Sequence, residues 1–205
     1  MLCRALFFER KEYFPFMSRE FFNAMMDNPI IAAVKDMDGL QRCCECEEIK
    51  VVFILFGDVC SIENIVKTVK ETGKIAMVHV DLVGGLSSKE VAVDFIKSAT
   101  RADGIISTKA SMIKRAKELS MYTVLRCFLL DSMALDNIRN PQPNVKPDFL
   151  EVLPGVMPKI IKKICHTTKI PIIAGGLISD KEDVMSALNA GAIAVSTTNI
   201  DVWIM

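Results

Sequence analysis

Two short polar motifs near the carboxyl end of the chain have the composition of an anion-binding site. Gly175-Gly176 follows an apolar run at residues 170–174, and Ser196-Thr197-Thr198 follows an apolar run at residues 192–195. Paired glycines let backbone N–H groups approach a ligand closely. Hydroxyl residues ahead of a short helix add O–H donors and the positive end of a helix dipole. We therefore predict that the two motifs together hold a phosphate group.

Each motif alone is also explained without a ligand, the glycines as a tight turn and the threonines as a helix cap. Their position at the ends of successive strands favours the anion site. Many (β/α)8 barrels build their phosphate site from the loops that follow strands seven and eight.

Eight apolar runs recur along the chain, with segments of helical periodicity between most of them. The runs are at residues 30–34, 51–56, 75–80, 104–106, 123–130, 149–153, 170–174 and 192–195. Capping-box patterns at Ser87-x-x-Glu90 and Ser179-x-x-Glu182 predict helix starts shortly after two of the runs. Eight strands joined by crossover helices predict an α/β fold, a closed parallel (β/α)8 barrel of the TIM type.

The ends of the chain complete this predicted architecture. Residues 1–17 show no periodicity, so we expect a poorly ordered leader with Met17 as the natural start, and a single barrel domain at 18–205. A helix that begins at Ser18, with the apolar stripe Phe21, Phe22, Met25 and Met26, is expected to close the bottom of the barrel. Only residues 200–205 follow the eighth run, so we expect the last helix to be truncated or supplied by a partner subunit.

The composition excludes several classes of protein. The chain of 205 residues, 51% hydrophobic, suits one compact domain and is short for two. Lys+Arg and Asp+Glu are both 25, so no global charge indicates nucleic acid or an anionic membrane. Seven irregularly spaced cysteines favour reduced thiols and a cytoplasmic protein. No run approaches the roughly 20 apolar residues that span a bilayer.

Further polar residues follow the predicted strands at the end where barrel chemistry lies. Lys35 and Lys109 are candidates to neutralise a phosphate or to bind a hydroxyl-rich ligand. Asp81 and Glu151 can accept hydrogen bonds from ligand hydroxyls, and His79 can donate or accept. The complete predicted ligand-binding set is Lys35, His79, Asp81, Lys109, Glu151, Gly155, Gly175, Gly176, Ser196, Thr197 and Thr198.

Several of these residues also have purely structural explanations. Strand alternation predicts that His79 and Asp81 point the same way, so they could form a structural pair. Lys109 could be a surface lysine in the first turn of a helix. Arg126 interrupts an apolar strand and needs a partner, for which Glu151 on the next strand is a candidate; that pair could be structural too.

The sequence shows neither a metal site nor a catalytic centre. Cys43, Cys44 and Cys46 lack the spacing of zinc ligands, and no further Cys/His pair completes four ligands. There is no clear pair of nucleophile and base. We therefore predict no catalytic residues, no metal and no cofactor.

Several sequence blocks resemble one protein family. They include IIAAVKDMDGL (30–40), MVHVDLVGGLSSKEVAVDFI (77–96), FLEVLPGVMPKII (149–161) and PIIAGGLI (171–178). Over residues 30–199 the chain is similar to the glycerol-3-phosphate-responsive transcription antiterminators of bacteria. The resemblance implies a (β/α)8 barrel, glycerol 3-phosphate as effector, and binding to the leader mRNA of glycerol-utilisation genes. One departure is Gly84, where the family pattern leads us to expect an acidic residue.

We therefore expect a glycerol 3-phosphate-sensing antiterminator. Ligand binding would order mouth loops, with 131–146 the foremost candidate, and could favour a homodimer or an RNA-competent surface. The alternative is a phosphosugar-type barrel enzyme, an isomerase, aldolase or phosphodiesterase-like protein. In it Lys109 would form a Schiff base, or His79 and Glu151 would do acid–base work. A third possibility is a barrel that serves only as a binding scaffold.

Overall fold

The computed structural model describes residues 18–139 and 146–205. The predicted leader, residues 1–17, lies outside the described residues, and so does the stretch 140–145 of the predicted mouth loop. Eight parallel strands follow one another around a closed barrel in chain order, and the eighth pairs with the first. The predicted (β/α)8 fold is therefore confirmed.

Helices alternate with the strands. The strands are β1 (Ile30–Val34), β2 (Val51–Ile54), β3 (Ile75–His79), β4 (Gly104–Ser107), β5 (Tyr122–Phe128), β6 (Phe149–Leu153), β7 (Ile172–Gly175) and β8 (Ala194–Thr197). The described helices are α1 (Ser18–Asp27), α2 (Met37–Glu45), α3 (Ile62–Glu71), α4 (Val91–Ala99), α5 (Ala110–Glu118), α6 (Ser132–Arg139), α7 (Pro158–Thr167), α8 (Lys181–Asn189) and α9 (Ile200–Trp203).

The strands are short Val/Ile/Ala-rich runs because both of their faces are buried. Alternate residues point to opposite faces, so one set packs inside the barrel and the other packs against the helices. We call the inside set, together with three residues of α1, the interior cluster. Its buried members are Phe21, Phe22, Met25, Ile31, Ala33, Val51, Phe53, Ile75, Met77, Ile106, Val124, Phe149, Ile173, Ile193 and Ala194.

Helix α1 closes the end of the barrel where the strands begin, as predicted. The ring centroid of Phe21 lies 5.3 Å from that of Tyr122 and 4.7 Å from that of Phe149, the first residues of β5 and β6. Because the interior is sealed there by apolar groups, a polar ligand can enter only from the opposite end, where the strands finish.

The last helix, α9, spans only Ile200–Trp203, so the predicted truncation is confirmed. The Trp203 side chain is buried, and its Nε1–H donates to the Thr197 carbonyl at 2.9 Å. Asn199 caps the helix by accepting a hydrogen bond from the Asp201 N–H. This short helix is therefore fastened directly to the end of β8.

Both predicted capping boxes are wrong in detail. Helix α4 begins at Val91, with Glu90 at the N-cap and no side-chain cap bond. At α8 the N-cap is Asp180, which accepts from the Asp183 N–H, and Asp183 in turn accepts from Ser179. At α8 the carboxylates of Asp180 and Asp183 thus take the capping role that the pattern gave to Ser179 and Glu182.

Candidate ligand-binding site at the barrel mouth

A polar layer lies directly above the interior cluster. Its members each stand two positions after a residue of that cluster on their own strand, so alternation turns them into the barrel. They are His79, Arg126, Glu151, Gly175 and Ser196. The sequence predicted all of them except Arg126 as ligand-binding residues.

Arg126 and Glu151 form a buried ion pair on neighbouring strands. Arg126 Nε donates to Glu151 Oε2 at 2.6 Å, and the side chains are 8% and 1% exposed. The other carboxylate oxygen, Oε1, accepts a hydrogen bond from Ser196 Oγ at 2.6 Å. A buried carboxylate is tolerated only when its charge and lone pairs are matched in this way. Glu151 therefore holds protein groups in this structure, and direct contact with a ligand stays a prediction.

Because Gly175 has no side chain, the hydrogen-bonded groups of Glu151 and Ser196 can pack directly against its backbone. A Cβ atom at this position would lie 2.5 Å from Ser196 Oγ and 2.6 Å from Glu151 Oε1. Real Cβ atoms do not approach other heavy atoms so closely. The glycine is thus explained by packing against the ion-pair network, which is a different reason from the predicted approach of an anion.

The two motifs of the predicted phosphate site adjoin at the same end of the barrel. Gly175 pairs with Ser196 in the register of β7 and β8. Gly176 has a positive φ of 74° and its carbonyl accepts from the Gly155 N–H at 3.0 Å. The loops after β6, β7 and β8 therefore meet, as a shared anion site requires.

The three hydroxyl residues of the second motif differ in their freedom to bind a ligand. Ser196 is held by Glu151. Thr197 points away from the interior, donates to the Ile178 carbonyl at 2.8 Å and accepts from the Asn199 N–H at 3.0 Å. Thr198 is exposed at the mouth. Thr198 is therefore the hydroxyl best placed to meet an anion.

His79 and Asp81 lie next to each other, although β3 ends at His79 and a 3-10 turn (Val80–Leu82) follows: His79 Nδ1 is 3.9 Å from Asp81 Oδ2. The Asp81 carboxylate takes its hydrogen bonds from the next loop, accepting from the Thr108 N–H at 2.7 Å and from Ser107 Oγ at 3.0 Å. Burial raises the pKa of Asp81, but these hydrogen bonds outweigh it, and the net pKa is lowered. Asp81 therefore ties the loop after β3 to the loop after β4.

His79 is left without a hydrogen bond at one ring nitrogen. Its side chain is 3% exposed, and Nδ1 lies 3.9 Å from Asp81 Oδ2, too far for a hydrogen bond. Among the described residues, His79 Nδ1 is the only buried side-chain nitrogen or oxygen without a partner. Burial, and then the positive charge of Arg126, lower the pKa of His79 to about 4. The ring is therefore neutral at pH 7.

Two lysines supply positive charge at the rim. Lys35 follows β1 directly and is exposed. Lys109, 40% exposed, stands at the N-cap of α5, and its Nζ lies 3.7 Å from Asp81 Oδ1. A lysine that forms a Schiff base needs an apolar, desolvated environment, which this exposed position beside a carboxylate does not provide.

Gly84, the departure from the family pattern, joins the loops after β2 and β3. Its N–H donates to the Gly57 carbonyl at 2.9 Å, and its carbonyl accepts from the Val59 N–H at 3.0 Å. A Cβ atom there would lie 3.3 Å from Asp58 Cβ. An acidic side chain at this position would therefore stand beside a second carboxylate.

The described cysteines form no metal site. In residues 18–139 and 146–205 there is no cluster of His, Cys, Asp and Glu arranged to hold a metal ion. Burial raises the pKa of Cys43 to about 12, so that thiol is unreactive. No helix in the described part of the chain is both long enough and apolar enough to span a bilayer.

Arg126 is the site residue that the sequence prediction omitted. Its charge inside an apolar strand, two positions after the inward-facing Val124, was an available signal. Because Glu151 offered a partner on the next strand, a structural ion pair was a sufficient explanation of the arginine. In the structure only Nε is used by Glu151.

Among the described residues, the fold is a (β/α)8 barrel with an apolar end closed by α1 and a polar end formed by the loops after the strands. Residues 30–203 match the family described as glycerol-3-phosphate responsive antiterminator. The chain belongs to this family.

Relatives and solved structures agree with this assignment. An Escherichia coli (strain K12) protein described as uncharacterized protein YgcP is 46% identical over 179 residues, which cover 87% of this chain and 93% of the relative. The glycerol uptake operon antiterminator regulatory protein of Listeria monocytogenes is similar at a TM-score of 0.78 and 34% identity, over 86% of this chain and 95% of that one. A glycerol uptake operon antiterminator-related protein of Thermotoga maritima is similar at a TM-score of 0.75 and 36% identity, over 86% of this chain and 98% of that one.

Barrel enzymes are similar in fold alone. An aldolase named QR15 has a TM-score of 0.67 at 15% identity, over 85% of this chain and 92% of that one. This likeness says nothing about the chemistry of the mouth, because one fold hosts many functions.

Proposed function

We propose that this protein is a transcription antiterminator that senses glycerol 3-phosphate at the barrel mouth and binds the leader mRNA of glycerol-utilisation genes. Its membership of the glycerol-3-phosphate responsive family is the observation that carries the proposal. The geometry of the mouth supports the part of the proposal that concerns glycerol 3-phosphate, and a basic helix supports the part that concerns RNA binding.

The mouth suits a small phosphorylated polyol. The phosphate would meet the Gly176 and Thr198 backbone where the loops after β7 and β8 adjoin. Lys35 and Lys109 would add positive charge at the rim. The polar layer below would face the glycerol moiety, within the reach of a three-carbon ligand.

The same contacts argue for sensing and against turnover. Glu151 is occupied by Arg126 and Ser196, so it is not free to move a proton. His79, with a pKa of about 4, is a weak base at pH 7. Lys109 lies beside Asp81 in a partly exposed position. A general acid, a general base and a nucleophile are therefore not assembled among the described residues.

RNA contact by a chain of zero net charge requires a local basic face. Helix α7 provides one: Lys159, Lys162 and Lys163 are exposed, and its ten residues include no acidic side chain. An antiterminator that contacts nascent transcripts would act in the cytoplasm. Ligand binding would favour the RNA-binding state by as much as the ligand prefers that state, whether as a monomer or a homodimer.

The test is a titration of labelled leader RNA with the protein, with and without glycerol 3-phosphate. We expect tighter binding with the ligand. Lys162→Ala/Lys163→Ala should weaken RNA binding and reduce the salt slope by about 0.7 for each lost phosphate contact. The control Lys67→Ala/Lys97→Ala, on α3 and α4, should do neither. Equal RNA affinity with and without a ligand that demonstrably binds would refute the sensing function.

A further inference from the structure

The deepest polar groups of the mouth have hydrogen-bonding capacity that the described residues do not use. His79 Nδ1 has no partner although the side chain is only 3% exposed. Arg126 uses Nε for Glu151, and its remaining N–H groups have no hydrogen bond to any described residue. Those N–H groups are not fully buried, since only the His79 nitrogen is both sealed and unpaired. Native proteins seldom leave a buried group such as His79 Nδ1 without a partner.

Both side chains belong to the polar layer and face the same space. His79 stands two positions after Met77 on β3, and Arg126 stands two positions after Val124 on β5. The two strands are separated by β4 alone, so both side chains turn into the same side of the barrel interior. A small polyol that reaches the floor of the mouth would therefore meet both residues.

The polar layer carries no net charge, so it is better suited to a neutral hydroxyl of the ligand than to its charged phosphate. The positive charge of Arg126 is matched by Glu151 at 2.6 Å. The His79 ring is neutral at pH 7. A phosphate would gain no net attraction there and would lose its hydration, whereas the rim offers unburied lysines. A hydroxyl both donates and accepts, so it satisfies either tautomer of the histidine while accepting from the arginine.

We propose that His79 and Arg126 form a hydroxyl subsite on the floor of the mouth, which takes an alcohol group of the ligand while the phosphate stays at the rim. This assignment rests on the proposed function and adds the orientation of the ligand to it. Glu151 and Ser196 are positioning residues, because they hold the guanidinium without meeting the ligand.

The subsite determines specificity for the polyol. Glycerol 3-phosphate would supply the partner that His79 Nδ1 lacks, whereas an analogue without hydroxyls would leave this nitrogen unpaired, as it is in the free protein. The hydrogen bonds gained by the hydroxyl correspond to about 10- to 100-fold in affinity. Binding of the phosphate itself should not depend on the floor.

The experiment compares glycerol 3-phosphate with propyl phosphate, which has the same phosphate and no hydroxyl, by isothermal titration calorimetry. For the wild type we expect glycerol 3-phosphate to bind about 10- to 100-fold more tightly. His79→Leu should bring the two affinities to within about threefold, while propyl phosphate binds as before. His79→Asn, which keeps a polar atom near the Nδ1 position, should retain most of the preference.

A rim variant provides the matched control, since Lys35→Ala should weaken both ligands equally and leave their ratio unchanged. Equal affinities of the wild type for the two ligands would overturn the hydroxyl subsite and leave the proposed function standing. No binding of either ligand would overturn the proposed function itself. An unchanged ratio in His79→Leu, folded by circular dichroism, would also overturn the subsite. If that variant does not fold, the ratio in the wild type and in His79→Asn decides.

Discussion

Acidification should destabilise this barrel through a single buried ring. His79 is 3% exposed, has an unpaired Nδ1, and lies near the charge of Arg126. These conditions lower its pKa from the ordinary 6.5 to about 4. Between these two pH values, His79 is therefore protonated in the unfolded chain and neutral in the folded protein.

The direction and size of the effect follow from proton linkage. Between pH 6.5 and about 4 the unfolded chain binds more protons than the folded one, so the free energy of unfolding falls as the pH falls. The contribution of His79 is fully present above pH 6.5 and is lost by about pH 4. At about 1.4 kcal/mol per pH unit, the whole window is worth about 3 kcal/mol, of which about 2 kcal/mol is lost between pH 7 and pH 5.

The assay is urea denaturation of three proteins at several pH values from 7 to 5. The chain has two histidines, and the second, His166, is exposed near the end of α7. The wild type and His166→Asn should lose stability in parallel. His79→Asn should lose about 2 kcal/mol less over the same range, because carboxylates that titrate there are common to all three. A stability profile of His79→Asn parallel to that of the wild type would refute the reasoning.

Two further variants test the packing inside the barrel, one beside the site and one at the closed end. Gly175→Ala should lower the free energy of unfolding by about 2–4 kcal/mol, since the new methyl group must displace Ser196 Oγ or Glu151 Oε1. Gly73→Ala is the control, because a Cβ atom there meets nothing within 4 Å and only the positive φ of 75° is unfavourable. In urea denaturation it should lower the free energy of unfolding by about 1 kcal/mol. Equal losses for Gly175→Ala and Gly73→Ala would contradict the steric explanation. Phe21→Ala should lose about 3–5 kcal/mol by opening the closed end of the barrel, and a loss below about 1 kcal/mol would show that α1 is not part of the core.

The mouth combines a scaffold shared with barrel enzymes and side chains arranged for recognition. Catalysis needs groups that change protonation or bonding during turnover. Here the carboxylates of Glu151 and Asp81 are saturated by groups of the protein itself. These occupied carboxylates support the proposed sensing function over turnover.

Periodicity alone was enough to predict the fold. Short Val/Ile-rich runs between amphipathic segments can be buried only as strands covered by helices, and eight of them close a barrel. The strand boundaries moved by a few residues. The seventh run was predicted to begin at Ile170, but β7 spans Ile172–Gly175. The carboxyl end of the strand is still at Gly175, beside Gly176, as predicted.

The sequence by itself also determined which residues face inward, because alternation on a strand is a local property. Tertiary structure decided their partners. The direction of Asp81 was set by hydrogen bonds from Ser107, the last residue of β4, and from Thr108 in the loop that follows. The orientation of Thr197 was set by the Ile178 carbonyl. Such hydrogen bonds join residues that are distant in the chain. Their donors and acceptors meet only when the barrel closes and brings the strand ends together, so strand alternation alone cannot predict which way these side chains turn.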